Sequence, residues 1–524
     1  MWYTSASAEP CHLALIRDTG GGVFLSCALC GLSREEAERP RSVEACCVCG
    51  GVHRNRGDHA QSSRPSPLGM AGDSWYSRDI TLSPMTISPH KRALSVLGES
   101  IYRGRRARIG ITQADRLGHM WVLGKTGTGK STFLTNLISA DMQAGRGLMV
   151  LDPHGDLVEA LLDLVPLHRV PETIYVNPAD TAYPLALNPL DGAAALPPHL
   201  VATGMMAVLK KTWPEFWGPR MEYVLRASLL TLLSTPQTTL LDLHRLLVHL
   251  PFRQQIIRRV TDPQLLQFWH KEFATYTSHF RTEAISPIVN KTGQYLTTPL
   301  LRNLLGQRRS AMALRTVMDQ GTIVLANLAK GRLGEDVAAL LGSLLMNQLE
   351  LATLSRADGP ASLRRDYFLY VDEAHLIATT TMVELFPEAR KFHLGVILAH
   401  QYVEQLDDAL RAALLGNVGT IVVFRLGARD AELLAPEFAP EVRASDLVNL
   451  PAYELYLKLL VNGTTSRPFS ILTFPAPQPQ QSFRDRIIAQ TRQQYCRPVA
   501  EVEQEILRDW QTSERGNQQQ WLRW

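Results

Sequence analysis

The chain has 524 residues, of which 45% are hydrophobic and 20% are charged, and its formal net charge at pH 7 is +4. This composition is that of a globular protein, and the length is sufficient for one large core with smaller modules attached. The small net charge excludes bulk electrostatic attraction as the main source of any nucleic-acid affinity. No apolar run reaches the roughly 18 uncharged residues typical of a membrane helix.

Cysteines are concentrated at the start of the chain, where six of the seven precede residue 50. Four of them form two Cys-x₂-Cys pairs, each followed by glycine, a spacing typical of a tetrahedral zinc ribbon. A disulfide framework and chance clustering are the alternatives, although no signal peptide supports an oxidising compartment. We predict a zinc-ribbon-like module over residues 1–57 and a Ser-, Pro- and Gly-rich linker over residues 58–90. The predicted zinc ligands are Cys27, Cys30, Cys46 and Cys49, with Cys47 as a competitor of Cys46.

A glycine-rich segment follows an apolar stretch at His119–Leu123 and precedes a helical stretch at Thr132–Ala140. It fits the pattern G-x-x-x-x-G-K-[ST] of P-loops, in which glycines let successive backbone N–H groups point at phosphate oxygens. Lys130 is predicted to contact the β- and γ-phosphates of ATP, and Ser131 to offer its hydroxyl to Mg²⁺. A chance match in a glycine-rich turn is the alternative. The predicted nucleotide-binding residues of this segment are Gly124, Lys125, Thr126, Gly127, Thr128, Gly129, Lys130, Ser131 and Thr132.

The pattern changes from strands to helices in the middle of the chain. Strands are predicted at Gly147–Leu151 and Thr173–Asn177, and strand signals resume at Thr322–Asn327. Between them, over residues 197–309, apolar residues recur at three- and four-residue spacing, which predicts an all-alpha insertion. We interpret the following aromatic residues of this insertion as core residues rather than base-stacking groups: Trp213, Phe216, Trp217, Phe268 and Trp269.

Basic residues are clustered in a few places. The densest patch is Ile101–Arg108, which is either a nucleic-acid contact or a solvated approach to the core. The arginines of the insertion are predicted to be solvated, with contact to phosphates as the alternative. They are Arg253, Arg258, Arg259, Arg308 and Arg309.

An apolar strand at Tyr367–Val371 ends in two adjacent carboxylates. Asp372 is predicted to bind the nucleotide through the Mg²⁺ shell, and Glu373 to act as the general base that activates water. The alternative is an ordinary strand followed by an acidic helix cap. Together with the P-loop, the pair favours hydrolysis of ATP by water over phosphoryl transfer to a small molecule.

Two polar residues further along are candidates for catalytic roles. Arg390 lies where a predicted helix ends, and from there it could reach the nucleotide of a neighbouring subunit. Gln401 follows a hydrophobic strand and could bind the γ-phosphate or the attacking water. The alternatives are a helix-end charge that complements the dipole for Arg390 and a solvated loop residue for Gln401.

The remaining strands are predicted at Thr420–Phe424, Leu455–Val461 and Ser470–Phe474. Strands that alternate with helices predict an α/β fold with a mainly parallel sheet covered on both faces. A nucleotide would then bind at the carboxyl ends of the strands. Residues 475–524 are interpreted as a polar tail with a helical patch near Val502–Trp510.

Six motifs occur in an order that resembles the HerA/FtsK superfamily of ring-forming, DNA-pumping ATPases. The resemblance is greatest to the cytoplasmic part of type IV secretion coupling proteins (the TraD/TraG-like conjugation ATPases), and it covers roughly Gly98–Phe474. It implies a RecA-like core over residues 91–196 and 310–474 that works as a hexamer, with Arg390 as a finger reaching the next subunit and Gln401 as a sensor. The motifs are the P-loop, Asp152–Asp156, Asp372–His375, Glu388–Lys391, Ala399–Gln401 and Phe424–Ala431.

The resemblance implies an ATP-driven hexameric DNA translocase whose partners are DNA, further copies of the chain, and a membrane channel or DNA-processing proteins. The expected location is the cytoplasm, either free or peripheral at the inner face of the membrane, because the membrane helices of typical coupling proteins are not found. The alternatives are an assembly or secretion ATPase of the same fold that does not pump DNA, and a nucleotide-gated adaptor.

Overall fold

The computed structural model describes residues 13–17, 23–27, 94–102, 105–191 and 196–521. We number the strands within these ranges in chain order. They are β1 (Leu13–Arg17), β2 (Val23–Cys27), β3 (Leu94–Tyr102), β4 (Arg105–Thr112), β5 (Met120–Leu123), β6 (Gly147–Asp152), β7 (Thr173–Val176), β8 (Ile323–Asn327), β9 (Tyr367–Val371), β10 (Leu394–His400), β11 (Thr420–Val423), β12 (Glu454–Lys458), β13 (Leu460–Val461), β14 (Thr464–Thr465) and β15 (Phe469–Leu472).

A sheet of 11 strands forms the centre of the molecule, in the order β4-β3-β15-β12-β11-β5-β10-β9-β6-β8-β7. The seven strands β11, β5, β10, β9, β6, β8 and β7 are parallel to one another. The strands from β4 to β12 add an antiparallel edge. The prediction of a mainly parallel sheet is therefore confirmed.

Both faces of the sheet are covered, since each parallel strand is buried along its whole length. Along β5, Met120 and Val122 belong to one hydrophobic cluster, whereas Trp121 and Leu123 belong to the other. Successive side chains of a strand point to opposite faces, so each parallel strand contributes to two cores.

Helices cover these faces and form the rest of the fold. The α-helices are Gln113–Arg116, Lys130–Gln143, Asp156–Leu162, Pro198–Thr212, Pro219–Leu233, Leu241–Val248, Leu250–Ile257, Pro263–Gln267, Ser278–Thr297, Pro299–Leu305, Leu314–Gln320, Lys330–Leu333, Glu335–Ser355, Ala374–Ile377, Thr380–Ala389, Asp408–Asn417, Ala428–Phe438, Ala444–Val448, Arg484–Tyr495 and Val499–Trp521. A π-helical turn spans Phe268–Glu272, and 3₁₀ turns span Leu167–Glu172, Pro214–Phe216, Phe273–Thr275, Arg356–Asp358, Ala361–Leu363, Arg390–Phe392 and Val403–Gln405.

The helix after the P-loop runs to Gln143 and so extends beyond the predicted end at Ala140. Asp141 lies in this last turn and is buried in the core although it is charged. Its carboxylate accepts hydrogen bonds from Arg116 at 2.6 Å and from Arg146 at 2.7 Å, and Tyr370 also donates to it. The paired cations make this burial tolerable.

Between Pro198 and Leu305 all described elements are helical, as the sequence predicts. Helix Pro198–Thr212 packs against helix Glu335–Ser355 of the core. The Asn347 side chain comes so close to Gly204 that a Cβ atom there would lie 2.2 Å from Asn347 Nδ2. The insertion is thus joined to the core by a tight helix–helix contact.

The residues predicted for the core of this insertion are mostly buried there. Trp213, Phe268 and Trp269 are buried, and Trp217 is partly buried against the same cluster. The side chain of Phe216 lies outside the described residues.

The prediction of solvated arginines is wrong for Arg253, which is only 8% exposed. Its guanidinium donates to the carbonyl oxygens of Leu246 and Leu247 at 3.1 and 3.0 Å, where a helix ends. Unsatisfied carbonyls at a helix end attract a cation, and the sequence pattern did not reveal that contact. Arg308 is half-buried and paired with Asp509 at 2.7 Å, whereas the other three are exposed: Arg258, Arg259 and Arg309.

One segment in the described part of the chain, Glu335–Asp358, is long and apolar enough to cross a membrane by length and composition alone. Its most apolar window is 78% buried inside the fold. Its side chains pack against the sheet and the insertion, so its apolarity is that of a core helix.

Strands β1 and β2 pair antiparallel. Cys27 ends β2, but its side chain lies outside the described residues, as do Cys30, Cys46 and Cys49 and the predicted linker over residues 58–90. In the basic stretch that follows, Arg106 and Arg108 lie 3.7 and 4.0 Å from Glu99 on the neighbouring strand.

Candidate functional site

The glycine-rich segment forms a loop between β5 and helix Lys130–Gln143. Gly124, Gly127 and Gly129 have φ angles of 158°, 75° and 113°, which L side chains rarely adopt. A Cβ atom at Gly124 would also lie 2.5 Å from Phe424 Cβ. The loop therefore needs glycine at these positions, as its motif predicts.

Other contacts hold the loop against β11. The Lys125 N–H donates to the Arg425 carbonyl at 3.0 Å, and the buried Thr128 hydroxyl donates back to the Lys125 carbonyl at 2.7 Å. The Tyr453 N–H donates to the Thr128 carbonyl at 2.8 Å. The loop is fixed from several sides, which gives a preformed cradle for an anion.

Lys130 begins the helix and is only 7% exposed. Its ammonium group donates to the carbonyl of Gly124 and lies 3.4 Å from the carbonyl of Lys125. Burial lowers the pKa of Lys130, while the nearby carboxylates of Glu373 and Asp372 act in the opposite direction. The cation is therefore held inside the loop and faces the acidic pair.

The acidic pair follows β9, two strands away from β5 in the sheet. Asp372 and Glu373 are 8% and 4% exposed. Burial raises the pKa of Asp372 to about 7, and the neighbouring carboxylates of Asp152 and Glu373 add to this effect. Asp152 ends β6, where its own carboxylate accepts hydrogen bonds from the N–H groups of His154 and Val158 at 2.9 and 3.1 Å.

Gln401 lies at the end of β10, between β5 and β9. Its amide Nε2 donates to Glu373 Oε1 at 2.6 Å. Its carbonyl oxygen accepts a hydrogen bond from the Thr126 hydroxyl at 2.9 Å. One side chain thus connects the phosphate-binding loop to the carboxylate of Glu373.

Glu373 is held in an unusual state. Its backbone is left-handed, with φ of 45°. Its Oε1 lies 3.9 Å from His154 Nε2, and its Oε2 lies 3.4 Å from His375 Nδ1. Burial lowers the pKa of His375, so that imidazole is neutral near pH 7. Within the described residues Glu373 Oε2 has no hydrogen-bond partner, so it is free to accept a proton from a reacting group.

These groups surround a cleft of about 540 Å³ at the carboxyl edge of the sheet. Its size is that of a typical small-molecule site, roughly 300–1,000 Å³. Gly124 and Thr128 shape the loop from behind and do not line the cleft. The predicted residues that do line it are Lys125, Thr126, Gly127, Gly129, Lys130, Ser131, Thr132, Asp372, Glu373 and Gln401.

Arg390 is not part of this cleft. It is exposed in the turn Arg390–Phe392, which precedes β10, whereas Gln401 follows the same strand. The length of β10 places the two about 20 Å apart, at opposite edges of the sheet. Arg390 therefore cannot act on a ligand in the cleft of its own subunit.

Several residues that line the cleft have no role predicted from the sequence: His154, Asp156, Leu157, Ala160, Tyr453 and Ala476. The sequence could have predicted a cleft position for His154, because the motif Asp152–Asp156 follows a buried strand at the edge of the sheet where ligands bind. Tyr453 had no such signal. It is 49% exposed and has a φ of 68°, and its backbone position beside Thr128 depends on β12 pairing with β11.

The donor set fits a magnesium nucleotide. Among the described residues no three His, Cys, Asp or Glu side chains are placed to hold a metal by themselves. Mg²⁺ usually binds through one or two protein ligands together with phosphate oxygens and water. The Ser131 hydroxyl and the Asp372 carboxylate face the same cleft as the loop, and they suit that mode.

Comparisons with known proteins agree with this geometry. Residues 98–218 match the family described as helicase HerA, central domain. No curated protein matches the chain.

Solved structures resemble the fold at low sequence identity. Plasmid coupling protein TrwB in complex with ADP and Mg²⁺ is 15% identical, with a TM-score of 0.53, over 76% of this chain and 92% of that one. The unbound bacterial conjugative coupling protein TrwBdeltaN70 has a TM-score of 0.50 at 15% identity, over 75% and 92%. VirB4 of Thermoanaerobacter pseudethanolicus has a TM-score of 0.48 at 17% identity, over 74% and 98%. Residues 98–218 therefore carry a match to the HerA central domain, and the fold as a whole, a large mixed sheet with a P-loop, resembles that of TrwB.

Proposed function

We propose that this chain is an ATP-driven DNA translocase that works as a hexameric ring, like conjugative coupling ATPases. The main support for the proposed ATP hydrolysis is the position of Gln401, whose side chain is hydrogen-bonded both to Thr126 of the phosphate loop and to Glu373. A bridge between the phosphate site and a buried carboxylate is what a hydrolase needs to align water with the γ-phosphate.

In this proposal the loop binds the phosphates of ATP. The backbone N–H groups of residues 124–132 and the Lys130 ammonium offer donors and positive charge to them. The Ser131 hydroxyl and Asp372 would hold Mg²⁺, which neutralises charge on the β- and γ-phosphates when it is bound. The raised pKa of Asp372, about 7, means that a cation is needed to keep this carboxylate fully ionised at neutral pH.

Glu373 acts as the general base. A water molecule attacks the γ-phosphorus and gives its proton to Glu373 Oε2, while the bond from the γ-phosphorus to the bridging oxygen breaks and ADP leaves. Gln401 is a positioning residue that holds Oε1 and leaves Oε2 without a hydrogen-bond partner among the described residues. The left-handed backbone at Glu373 supports this assignment, because strained residues cluster at functional sites.

Arg390 is proposed to complete the site of the next subunit. It is exposed at the sheet edge opposite the cleft, where a neighbour in a ring would place its own nucleotide. A guanidinium that approaches the γ-phosphate stabilises charge in the transition state, and it also makes hydrolysis depend on ring assembly.

The proposed partners are DNA, further copies of the chain, and membrane-channel or DNA-processing proteins. The proposed location of the protein is the cytoplasm or the inner face of the membrane. The support is the TrwB-like fold, since TrwB is a conjugative coupling protein.

The cysteine pairs are proposed to hold one zinc ion. If Cys27, Cys30, Cys46 and Cys49 share a site, protein purified under reducing conditions should contain about one zinc per chain. A Cys30→Ser and Cys49→Ser double variant should lose it. Metal analysis that finds no zinc in the wild-type protein would remove this module from the proposal.

The test of the translocase is the ATPase rate with and without DNA, together with the mass of the protein in ATP. We expect DNA to raise the rate and ATP to favour a hexamer. An ATPase that assembles but ignores both single- and double-stranded DNA would be an assembly or secretion motor. A slow, monomeric ATPase would favour the adaptor.

A further inference from the structure

A second large cavity lies in the helical insertion, away from the nucleotide cleft. It is a groove of about 1,000 Å³ to which helices Leu241–Val248, Leu250–Ile257, Pro263–Gln267 and Ser278–Thr297 contribute. Its lining is mostly aliphatic, with Leu250 among the lining residues and Trp269, His270 and Phe273 beside them, and three arginines face the same space. We call it the arginine groove after Arg253, Arg258 and Arg281.

Two of these arginines are fixed in place. Arg253 donates to two helix-end carbonyls, and Arg281 donates to the carbonyls of Ala274 and Tyr276 at 3.4 and 3.2 Å. Both guanidiniums also lie over the ring of Phe273, at 5.2 and 5.5 Å from its centroid. Held guanidiniums lose little conformational freedom when they bind a ligand.

The charge in the groove is not neutralised by any carboxylate in the described part of the chain. The groove has no aspartate or glutamate in its lining, and its three arginines form no ion pair within the described ranges. The Nε of Arg281 is buried and has no hydrogen-bond partner among the described residues. Both guanidiniums lie over the same Phe273 ring, so the two cations repel each other, and burial together with the charge of Arg281 lowers the pKa of Arg253. An anion that entered the groove would relieve this repulsion.

The side chains that line the groove favour one of two anionic partners, a nucleic acid or an acidic protein segment. Nucleic-acid sites present aromatic faces to stacked bases, but here Trp269 and Phe273 are only 3% and 1% exposed. The rim instead presents aliphatic side chains, since Val248 and Leu250 are 49% and 53% exposed. Aliphatic contact next to guanidiniums suits a protein segment that carries both apolar and acidic side chains.

We propose that the arginine groove docks an acidic, amphipathic segment of a partner protein, with aliphatic side chains in the groove and carboxylates on the arginines. This site is separate from the ATPase and does not depend on the proposed translocation. It gives the insertion a defined recognition surface for an incoming protein.

The test uses a fluorescent helical peptide of about 16 residues with leucines on one face and glutamates beside them. Its partner probe has lysine in place of each glutamate, and oligothymidine serves as the nucleic-acid probe. We expect the acidic peptide to bind the full chain, with an affinity that falls as salt rises. Arg258→Glu should weaken it by about tenfold or more.

The matched control is Arg259→Glu, which changes the adjacent exposed arginine outside the groove and should leave peptide affinity within about twofold. Leu250→Asp should weaken the peptide through the apolar contact. Melting temperatures verify that each variant is folded. Equal binding of acidic and basic peptides, or equal losses in Arg258→Glu and Arg259→Glu, would overturn the proposal. Oligothymidine binding that depends on Arg258 without acidic-peptide binding would make the groove a nucleic-acid site instead.

Discussion

Several features of Glu373 are unfavourable for the free energy of folding. It is buried, its backbone is left-handed, and one carboxylate oxygen has no hydrogen-bond partner in the described structure. Left-handed backbone in a residue other than glycine costs of order 1–3 kcal/mol, and a buried unsatisfied oxygen adds to that. Neighbouring packing must stabilise this state, which is understandable if the carboxylate reacts.

The first prediction concerns this carboxylate. Glu373→Gln should retain ATP binding but lower kcat by about 10²–10⁴, because the amide cannot accept a proton from water. Lys130→Ala should lose ATP binding as well. Phosphate release measures hydrolysis, and titration with a fluorescent ATP analogue measures binding. Hydrolysis near the wild-type rate in Glu373→Gln would mean that another group is the base.

Glu350 is a second buried carboxyl, and we expect it to influence stability rather than catalysis. It is 4% exposed, accepts a hydrogen bond from the Thr381 hydroxyl at 2.7 Å, and burial raises its pKa from 4.5 to about 7. A raised carboxyl pKa means that the folded protein binds a proton that the unfolded chain releases. Stability contributed by the protonated group is therefore lost as pH rises from about 4.5 to about 7.

Glu350→Gln should consequently gain stability relative to the wild type as pH rises through this window, by up to about 3 kcal/mol. Urea unfolding at pH 5 and pH 8 measures the difference. The control is Glu432→Gln, which makes the same change at an exposed position. A pH-independent effect of Glu350→Gln would show that its pKa is not raised.

At the scale of elements, the C-terminal segment links the nucleotide cleft to the insertion. Ala476 lines the cleft. Arg484 binds Glu159 of helix Asp156–Leu162 and Asp163 just after it, and another face of this helix also lines the cleft. Further along, Asp509 pairs with Arg308 of the insertion at 2.7 Å. The segment therefore contacts both parts of the molecule.

Arg484→Ala should weaken this contact, because it removes one guanidinium from two carboxylates. We expect a loss of about 1 kcal/mol in stability, faster hydrogen exchange in Asp156–Leu162, and weaker ATP binding. Arg486→Ala, two residues further on and exposed, is the matched control and should change none of these. Unchanged exchange in that helix would show that the segment rests on the core without supporting it.

At the scale of the whole molecule, the separation of Arg390 from its own cleft gives a test of the ring. Arg390→Ala should still bind ATP but lose hydrolysis by about 10³–10⁵ if it supplies a finger to its neighbour. Mixing it with inactive Lys130→Ala should restore some activity, since some interfaces then join an intact loop to an intact finger.

Lys391→Ala is the control for this experiment, because the adjacent lysine is exposed and lies 3.5 Å from Glu388 on the same surface. It should hydrolyse ATP at close to the wild-type rate. No recovery at any mixing ratio, together with a monomeric mass in ATP, would eliminate the hexameric motor.

The sequence by itself determined the features that depend on local pattern. Buried strands, the glycine positions of the loop and the carboxylates after β9 can all be identified from a few consecutive residues, because backbone sterics and strand period act locally. The helical character of Pro198–Leu305 and the mainly parallel sheet could be predicted for the same reason. Strand ends were less certain, since tertiary contacts decide where a strand stops.

Only the tertiary structure decided which distant residues meet. Gln401 contacts Thr126 across 275 positions because β10 pairs with β5, and this strand order is not written in either segment. The same applies to Tyr453 beside the loop, to Asp141 and Arg253 in the core, and to Arg390 at the far edge. Their environments depend on packing between elements that are distant in sequence. Strand pairing and burial there override the exposure that a charged or aromatic side chain would prefer from its local sequence.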